Sequence, residues 1–373
     1  MRILHVVTAL NGGGAEHFVG ALVPRLCDAR MHCAVMSVYP TEVPAYLGAS
    51  SADILQIARS GRYDGAFLGR MVAAIRAWRP DVVHTHMHHG TYWGRLAAYV
   101  AGVRRIVRTE HLPCDPAARL RGTALPNRLL NAVTAAVVTF TREQGEYLAA
   151  YEHFDARKLA IIPNGVEDAL ARGEAARREG RALLDLDDAT KALVVLGNLH
   201  RHKHQVLALE AFARLRDEGD ATMRLFFVGD GVDRAMLEAR AHALAVDDAV
   251  RFLGYRRDVA ALLPAADALV MPSLTEGMPL ALLEAMRAEV PIVSTPWLGA
   301  RDLLADGSRG LLAADWTPEA LARATRDLFA DATATAQRVR AARTAVGSEY
   351  AMTTCAQRHR ALYQALVAGR LAA

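Results

Sequence analysis

Two glutamates, Glu276 and Glu284, stand with seven residues between them in the stretch Pro272-Ser273-Leu274-Thr275-Glu276-Gly277-Met278-Pro279-Leu280-Ala281-Leu282-Leu283-Glu284-Ala285-Met286. The apolar run Ala268-Leu269-Val270-Met271 before them reads as a buried strand. Gly277 and Pro279 then break the chain, and Leu280 to Ala288 read as a helix with Pro279 at its first turn. One acid therefore falls on a strand-to-helix loop and the other inside the helix. A helix N-terminus after a glycine loop presents N–H groups and a partial positive charge to an anion. Glu276 beside it can accept hydrogen bonds from sugar hydroxyls, and Glu284 can do so further along. The loop suits a ligand carrying both phosphate and sugar, although such a pair taken alone is more often a loop acid beside one on a solvated helix face.

Other stretches could share this chemistry. Gly197-Asn198-Leu199-His200-Arg201-His202-Lys203 follows an apolar run, so Lys203 or Arg201 could offset charge on a leaving diphosphate. Gly12-Gly13-Gly14-Ala15-Glu16 also lies between a strand and a helix, where glycines let backbone approach a phosphate or sugar. It is not a G-x-G-x-x-G dinucleotide fingerprint. Thr109-Glu110-His111 ends a strand, and His111 there could donate to a ligand oxygen or be an internally satisfied histidine. Gly229-Asp230-Gly231 could let backbone pass near a nucleotide, and the turn Gly254-Tyr255-Arg256 could meet a base. His84, His86 and His88 alternate, as do His200, His202 and His204, but the third of each trio is expected beyond its strand, so a metal site is not assigned. Asp185-Leu186-Asp187 falls in a polar segment, where aspartates make turns and caps.

The elements that must position these residues alternate. Strands are expected at Ile3–Val7, Cys33–Val38, Val82–His86, Arg105–Thr109, Ala136–Thr139 and Leu159–Ile162, with helices between most of them, the first near Ala15–Cys27. Pro163-Asn164-Gly165 interrupts the rhythm, and a charged segment from Glu167 to Lys191 follows. The pattern restarts with Ala192–Leu196, Arg224–Val228, Val250–Leu253, Ala268–Met271 and Ile292–Val293, with Gly310-Leu311-Leu312 as a short edge strand and helices alone from Thr317 onward. This is βαβ order and implies parallel sheets covered on both faces. Ligands bind beyond the carboxyl ends of strands in such sheets, and every motif above falls at an expected strand end.

The 373 residues exceed what one core usually organises, so two domains are expected. Hydrophobic residues make up 52% and charged residues 23%, as in an ordinary soluble protein, and no apolar run reaches the ~18 residues of a membrane span. The opening Met1-Arg2-Ile3-Leu4 reads as a first strand, not a signal peptide. Cys27, Cys33, Cys114 and Cys355 show no C-x-x-C spacing, which fits a reducing cytoplasm. Residues 1–165 hold 18 Lys+Arg against 12 Asp+Glu, whereas the remainder holds 26 against 28. The basic first half could meet an anionic acceptor or membrane surface. Nucleic acid is not expected, because the arginines are dispersed without interleaved aromatics.

Taken together, these stretches resemble the retaining glycosyltransferases of the GT-B fold, family-4 type. The likeness runs from Leu10–Glu16 through Pro80–His86, Thr109-Glu110-His111 and Ile162–Val166 to Gly197–Lys203, Phe227–Gly231, Arg251–Gly254 and the E-x7-E pair. It implies an α/β protein of two doubly wound Rossmann-like domains facing a central cleft. Residues 1–165 would bind the acceptor, residues 166–347 would hold a nucleotide-diphosphate sugar, and residues 348–373 would form a helix packing back on the first domain. The resemblance gives Glu276 to the donor sugar's hydroxyls, the backbone of Gly277, Met278 and Pro279 to the sugar and phosphate, Glu284 to the ribose and Lys203 to the diphosphate. It gives His111 to the transferred sugar, and Gly13 and Gly14 to donor phosphate or acceptor. Many members carry Arg five residues before the lysine. Here that position is Asn198, and Arg201 is the candidate replacement. The resemblance further implies retention of anomeric configuration and no metal or other cofactor. The donor would be a UDP-sugar ahead of GDP-mannose, and the acceptor a glycan, a lipid-linked species or a small molecule. The expected setting is cell-surface or exopolysaccharide assembly, in the cytoplasm or at the inner face of the membrane. A nucleotide-sugar epimerase, a non-catalytic nucleotide-sugar sensor and a metal hydrolase are the competing readings.

Overall fold

Short apolar runs bounded by glycine, proline or polar residues form the strands of two parallel sheets. A computed structural model describes residues 1–10, 14–40, 52–57, 59, 61, 64–111, 124–167 and 173–370. Asn11, Gly12, Gly13 and Cys114 lie outside the described residues. The chain divides into two units, Met1–Gly165 with Met352–Ala373, and Val166–Ala351.

The first unit contains β1 (Arg2–Val7), β2 (His32–Ser37), β3 (Asp53–Gln56), β4 (Val82–His86), β5 (Ile106–Thr109), β6 (Ala136–Thr139) and β7 (Leu159–Ile161). Their order across the sheet is β3-β2-β1-β4-β5-β6-β7, all parallel. Every residue of β4, β5 and β6 is buried, as expected of strands covered on both faces. β3 is the one described strand without a counterpart in the sequence reading. Its residues Asp-Ile-Leu-Gln are half polar and it lies at the sheet edge, so no continuous apolar run marks it.

The last helix of this unit, Met352–Val367, buries Met352, Cys355, Ala356, His359, Leu362, Tyr363 and Leu366, a stripe at helical spacing. It joins the same core as Phe18, Leu22 and Leu26 of the helix Gly14–Leu26. Arg360 pairs with Asp28 at 2.7 Å, and Arg105 Nε donates to the carbonyl of Leu366 at 3.1 Å. Behind β5, Arg108 is fully buried and bonds Glu152 at 2.8 Å, while Asn131 Nδ2 donates to the same carboxylate at 3.0 Å.

The second unit contains β8 (Lys191–Leu196), β9 (Met223–Val228), β10 (Val250–Phe252), β11 (Ala268–Met271), β12 (Ile292–Ser294) and β13 (Leu311–Leu312). The order is β10-β9-β8-β11-β12-β13, again parallel, with the Leu311–Leu312 strand at the edge. In each sheet the order reverses between the unit's first and fourth strands, β1/β4 and β8/β11. Connections leave the sheet in opposite directions there, which opens a crevice at the carboxyl ends of those two strands. Helices Pro318–Ala330 and Ala332–Ser348 close this unit.

Candidate functional site

The crevice of the second sheet is flanked by the loops after β8 and β11, and these carry Lys203 and Glu276. Lys203 ends the short 3-10 turn Arg201–Lys203, and its Nζ lies 2.7 Å from Glu276 Oε1 and 2.9 Å from Oε2. The Glu276 side chain is 6% exposed and that of Lys203 19%. Ser273 Oγ donates to Glu276 Oε1 at 2.6 Å. Ser273 is itself held by its carbonyl, which accepts from Thr295 Oγ1 at 2.6 Å and from Trp316 Nε1 at 3.1 Å. The backbone N–H of Leu274 donates to the His202 carbonyl at 3.0 Å, which ties the two loops together. A carboxylate so constrained costs little reorganisation when a ligand arrives. Burial, then the Lys203 charge, lowers the pKa of His202, so its ring stays neutral beside the ammonium.

Pro279 precedes the helix Leu280–Arg287 as its N-cap, one position earlier than the sequence reading placed it. Its ring cannot supply a capping acceptor, and no side chain caps this N-terminus. Gly277, Met278 and Pro279 are buried between Glu276 and the helix. Along the helix, Leu282, Leu283, Ala285 and Met286 are buried, while Leu280, Ala281, Glu284 and Arg287 form the half-buried stripe. Glu284 lies on that stripe, and loss of water around its carboxylate raises its pKa.

The other sequence candidates are placed less decisively. Asn198 and Arg201 are exposed, and Gln205 Nε2 donates to the Asn198 carbonyl at 2.8 Å. Arg256 pairs with Asp258 at 2.6 Å, two residues along its own turn. Gly14 is exposed at the first position of its helix. Gly229 and Gly231 have a packing reason to be glycine. A Cβ at Gly229 would stand 2.1 Å from the Gly197 carbonyl oxygen, and one at Gly231 would stand 2.2 Å from that of Leu199. Asp187 accepts from the backbone and hydroxyl of Thr190 at 2.8 and 2.6 Å, the capping role expected of that segment.

In the first unit, the adjoining strands β1 and β4 bring buried histidines together. His5 Nδ1 lies 3.0 Å from His86 Nε2, and His86 Nδ1 lies 3.0 Å from His111 Nε2. His84 contacts Tyr363 Oη at 2.6 Å and Thr109 Oγ1 at 2.7 Å. His359 of the last helix lies in the same cluster, facing His84 and Phe18. Burial depresses all of these rings, His5 and His111 to about 3 and His359 to about 4, so they are neutral. The alternating trio His84, His86, His88 does not assemble. Met87 turns the backbone at φ 59 and His88 begins the helix His88–Ala101. Among the described residues, His5, His84 and His86 are the group whose ligand atoms come within 4.8 Å of one another.

Sequence reasoning did not find Ser273, Thr295 and Trp316 as the supports of Glu276. Ser273 was visible as a polar residue inside the loop motif, whereas nothing local marks Thr295 or Trp316. His5 and His359 were missed because they reach the histidine cluster from β1 and from the last helix.

Residues 12–170 match the family model described as Glycosyltransferase Family 4, and residues 190–331 match that of Glycosyl transferases group 1. The chain is 29% identical over 224 residues to the UDP-Gal:alpha-D-GlcNAc-diphosphoundecaprenol alpha-1,3-galactosyltransferase of Escherichia coli, a match covering 57% of this chain and 57% of that enzyme. It is 26% identical over 400 residues to the D-inositol 3-phosphate glycosyltransferase of Streptomyces scabiei (strain 87.22), covering 97% of this chain and 88% of that one. Among solved structures, Anabaena Alr3699/HepE in complex with UDP and glucose superposes with a TM-score of 0.86 at 18% identity, covering 98% of this chain and all of that one. The shared fold is GT-B. No described helix is long and apolar enough to cross a membrane.

Proposed function

The chain belongs to the glycosyltransferases of the family-4, group 1 type, which move sugars from nucleotide sugars, and from that premise we propose a retaining, metal-independent transfer centred on Glu276 and Lys203. The observation that carries this reading is the contact between Lys203 and Glu276 at the β8/β11 crevice. A diphosphate entering there competes for the ammonium. Lys203 then turns to phosphate oxygens, with exposed Arg201 as the second cation in place of an arginine at Asn198. Glu276, still held by Ser273, accepts hydrogen bonds from the donor sugar's hydroxyls. The uncapped helix after Gly277, Met278 and Pro279 directs its N-terminal dipole toward phosphate. Glu284 accepts from the ribose hydroxyls, which restores the interactions its carboxylate loses on burial. Gly254-Tyr255-Arg256 meets the base, Gly13 and Gly14 meet phosphate or acceptor, and His111 donates to the transferred sugar.

In this reading the acceptor attacks the face from which the diphosphate departs, and the departing phosphate takes the acceptor proton. A UDP-sugar is the favoured donor, in keeping with the UDP-Gal of the Escherichia coli relative's name and the UDP bound by the Anabaena protein. A lipid-linked or other glycan acceptor of cell-surface synthesis is favoured, with the basic first half of the chain available to an anionic membrane surface at the cytoplasmic side. A thermal-shift panel of UDP-sugars and GDP-mannose, run with and without chelator, tests the donor. A UDP-sugar should stabilise the protein most, and equally in both conditions. Stabilisation only by GDP-mannose would overturn the base assignment, and stabilisation abolished by chelator would overturn metal independence.

A further inference from the structure

We propose that the buried chain His5–His86–His111 has a fixed hydrogen-bond polarity, which makes His86 and His5 positioning residues that present His111 to its ligand as an Nδ1–H donor. This deepens the role proposed for His111 and rests on it for the identity of the ligand. The polarity itself stands on the chain's geometry and on the neutrality of its buried rings.

Both links are in line. In each, the nitrogens are 3.0 Å apart and the ring centroids 5.3 Å apart, a difference of two imidazole radii, so the two nitrogens point at each other. A neutral imidazole has one N–H and one lone pair. Once the first link has a direction, the second must follow it, and only two arrangements exist. In one, His5 Nδ1–H donates to His86 Nε2, His86 Nδ1–H donates to His111 Nε2, and His111 carries its proton on Nδ1. In the other, every proton is reversed.

The far end of the chain decides between them. His5 is fully buried and its Nε2 has no hydrogen-bond partner among the described residues. The first arrangement leaves a lone pair there, and the second leaves a buried N–H. Orphaned buried N–H groups are rarer than under-satisfied acceptors. The adjacent His359 shows the same preference. Its Nδ1 faces the Cys355 carbonyl at 2.9 Å, which can only accept, so its partnerless Nε2 is also a lone pair. Desolvation keeps the rings of this chain neutral, which preserves the one-donor, one-acceptor rule. His111 Nδ1 has no partner among the described residues and is the ring atom left for a ligand oxygen that accepts.

The test is the tautomer of His111, read from nitrogen shifts of the full-length protein labelled with 15N-histidine and assigned with His111→Gln. The expected result is a protonated Nδ1 and an unprotonated Nε2 in ligand-free protein. His5→Phe removes the donor and should mix the His111 tautomers, whereas His5→Asn, whose amide N–H can still donate, should retain the Nδ1–H form. Turnover with a nucleotide sugar should fall about ten-fold in His5→Phe with an unchanged KM for donor, and recover in His5→Asn. A His111 protonated on Nε2 overturns the proposal, even if His5→Phe fails to fold. So does a His111 tautomer indifferent to His5→Phe. A correct tautomer in a protein without transferase activity would leave the relay standing and reject only the functional reading.

Discussion

Lys203 Nζ bridges both carboxylate oxygens of Glu276, at 2.7 and 2.9 Å, across the point where the second sheet reverses its strand order. The residues come from the ends of β8 and β11, neighbours in the sheet but 73 positions apart in sequence. Ser273 keeps the carboxylate in place when the ammonium turns elsewhere. Removing either partner should therefore damage chemistry more than folding. Glu276→Gln and Lys203→Ala should each lower the transfer rate a hundred- to a thousand-fold, roughly 3–4 kcal/mol of barrier. The measurements are kcat alongside the melting temperature. A variant that keeps kcat within two-fold would remove that residue from the mechanism.

Glu284 should make nucleotide binding pH-dependent in a definite direction. Burial raises its pKa, so the empty site takes up a proton more readily than a solvated carboxylate does. Ribose hydroxyls favour the carboxylate, so binding releases a proton, and affinity weakens as pH falls through the raised pKa. UDP affinity by calorimetry should drop between pH 7.5 and 5 more steeply in the wild type than in Glu284→Gln. At pH 7.5 the variant should bind about ten-fold more weakly, in line with a charged hydrogen-bond acceptor. Parallel pH curves would place Glu284 away from the ligand. The ionisation of the phosphates contributes equally to both proteins and cancels in the comparison.

The histidine cluster should make the first unit acid-labile above the range where most carboxylates titrate. The folded pKa values of His5 and His111 are about 3 and that of His359 about 4, below the unfolded value of 6.5. Between those values the unfolded chain binds more protons, so stability rises with pH and is lost as pH falls from 6.5. Each such histidine contributes up to about 1.4 kcal/mol per pH unit in that window. Urea unfolding at pH 7.5, 6.5, 5.5 and 5 should show the fall, with a shallower slope in His5→Phe. A flat profile from 6.5 to 5 would contradict neutral burial.

Glu152 should be a stability residue and nothing more. It is 1% exposed and pairs with Arg108, whose side chain is wholly buried, and it also accepts from Asn131 Nδ2 at 3.0 Å and Asn127 Nδ2 at 3.3 Å. Glu152→Ala weakens the compensation of the guanidinium, leaving it Glu110 at 3.2 Å and the neutral Asn131 Oδ1 at 3.2 Å. The expected cost is about 3 kcal/mol in urea unfolding, the lower end for breaking a buried pair. A loss under 1 kcal/mol would show that water reaches Arg108.

Strands such as Val82–His86, Ala136–Thr139 and Ala268–Met271 were legible to the residue, because each contains consecutive aliphatic residues between helical stretches. Asp53–Gln56 was not, because an edge strand with polar ends carries no such run. The same logic divides the site. Glu276, Glu284 and Lys203 stood out through motif order, since loops at strand ends keep their chemistry in short local stretches. Trp316 and Thr295 act on Glu276 only through the Ser273 carbonyl, and no local pattern encodes a contact to a distant main-chain oxygen. His5 and His359 sit in segments that read as ordinary core, and only the packing of β1 and the last helix against β4 reveals them.

The most direct measurement is the stoichiometry of a single reaction. Nucleoside diphosphate released and glycoside formed are quantified together, with a UDP-sugar and a panel of lipid-linked and glycan acceptors, in wild type and Glu276→Gln. The expected result is equal amounts of both products, formed only with acceptor, and loss of both in the variant. Diphosphate release that needs no acceptor, yields no glycoside or survives Glu276→Gln would contradict sugar transfer at this site.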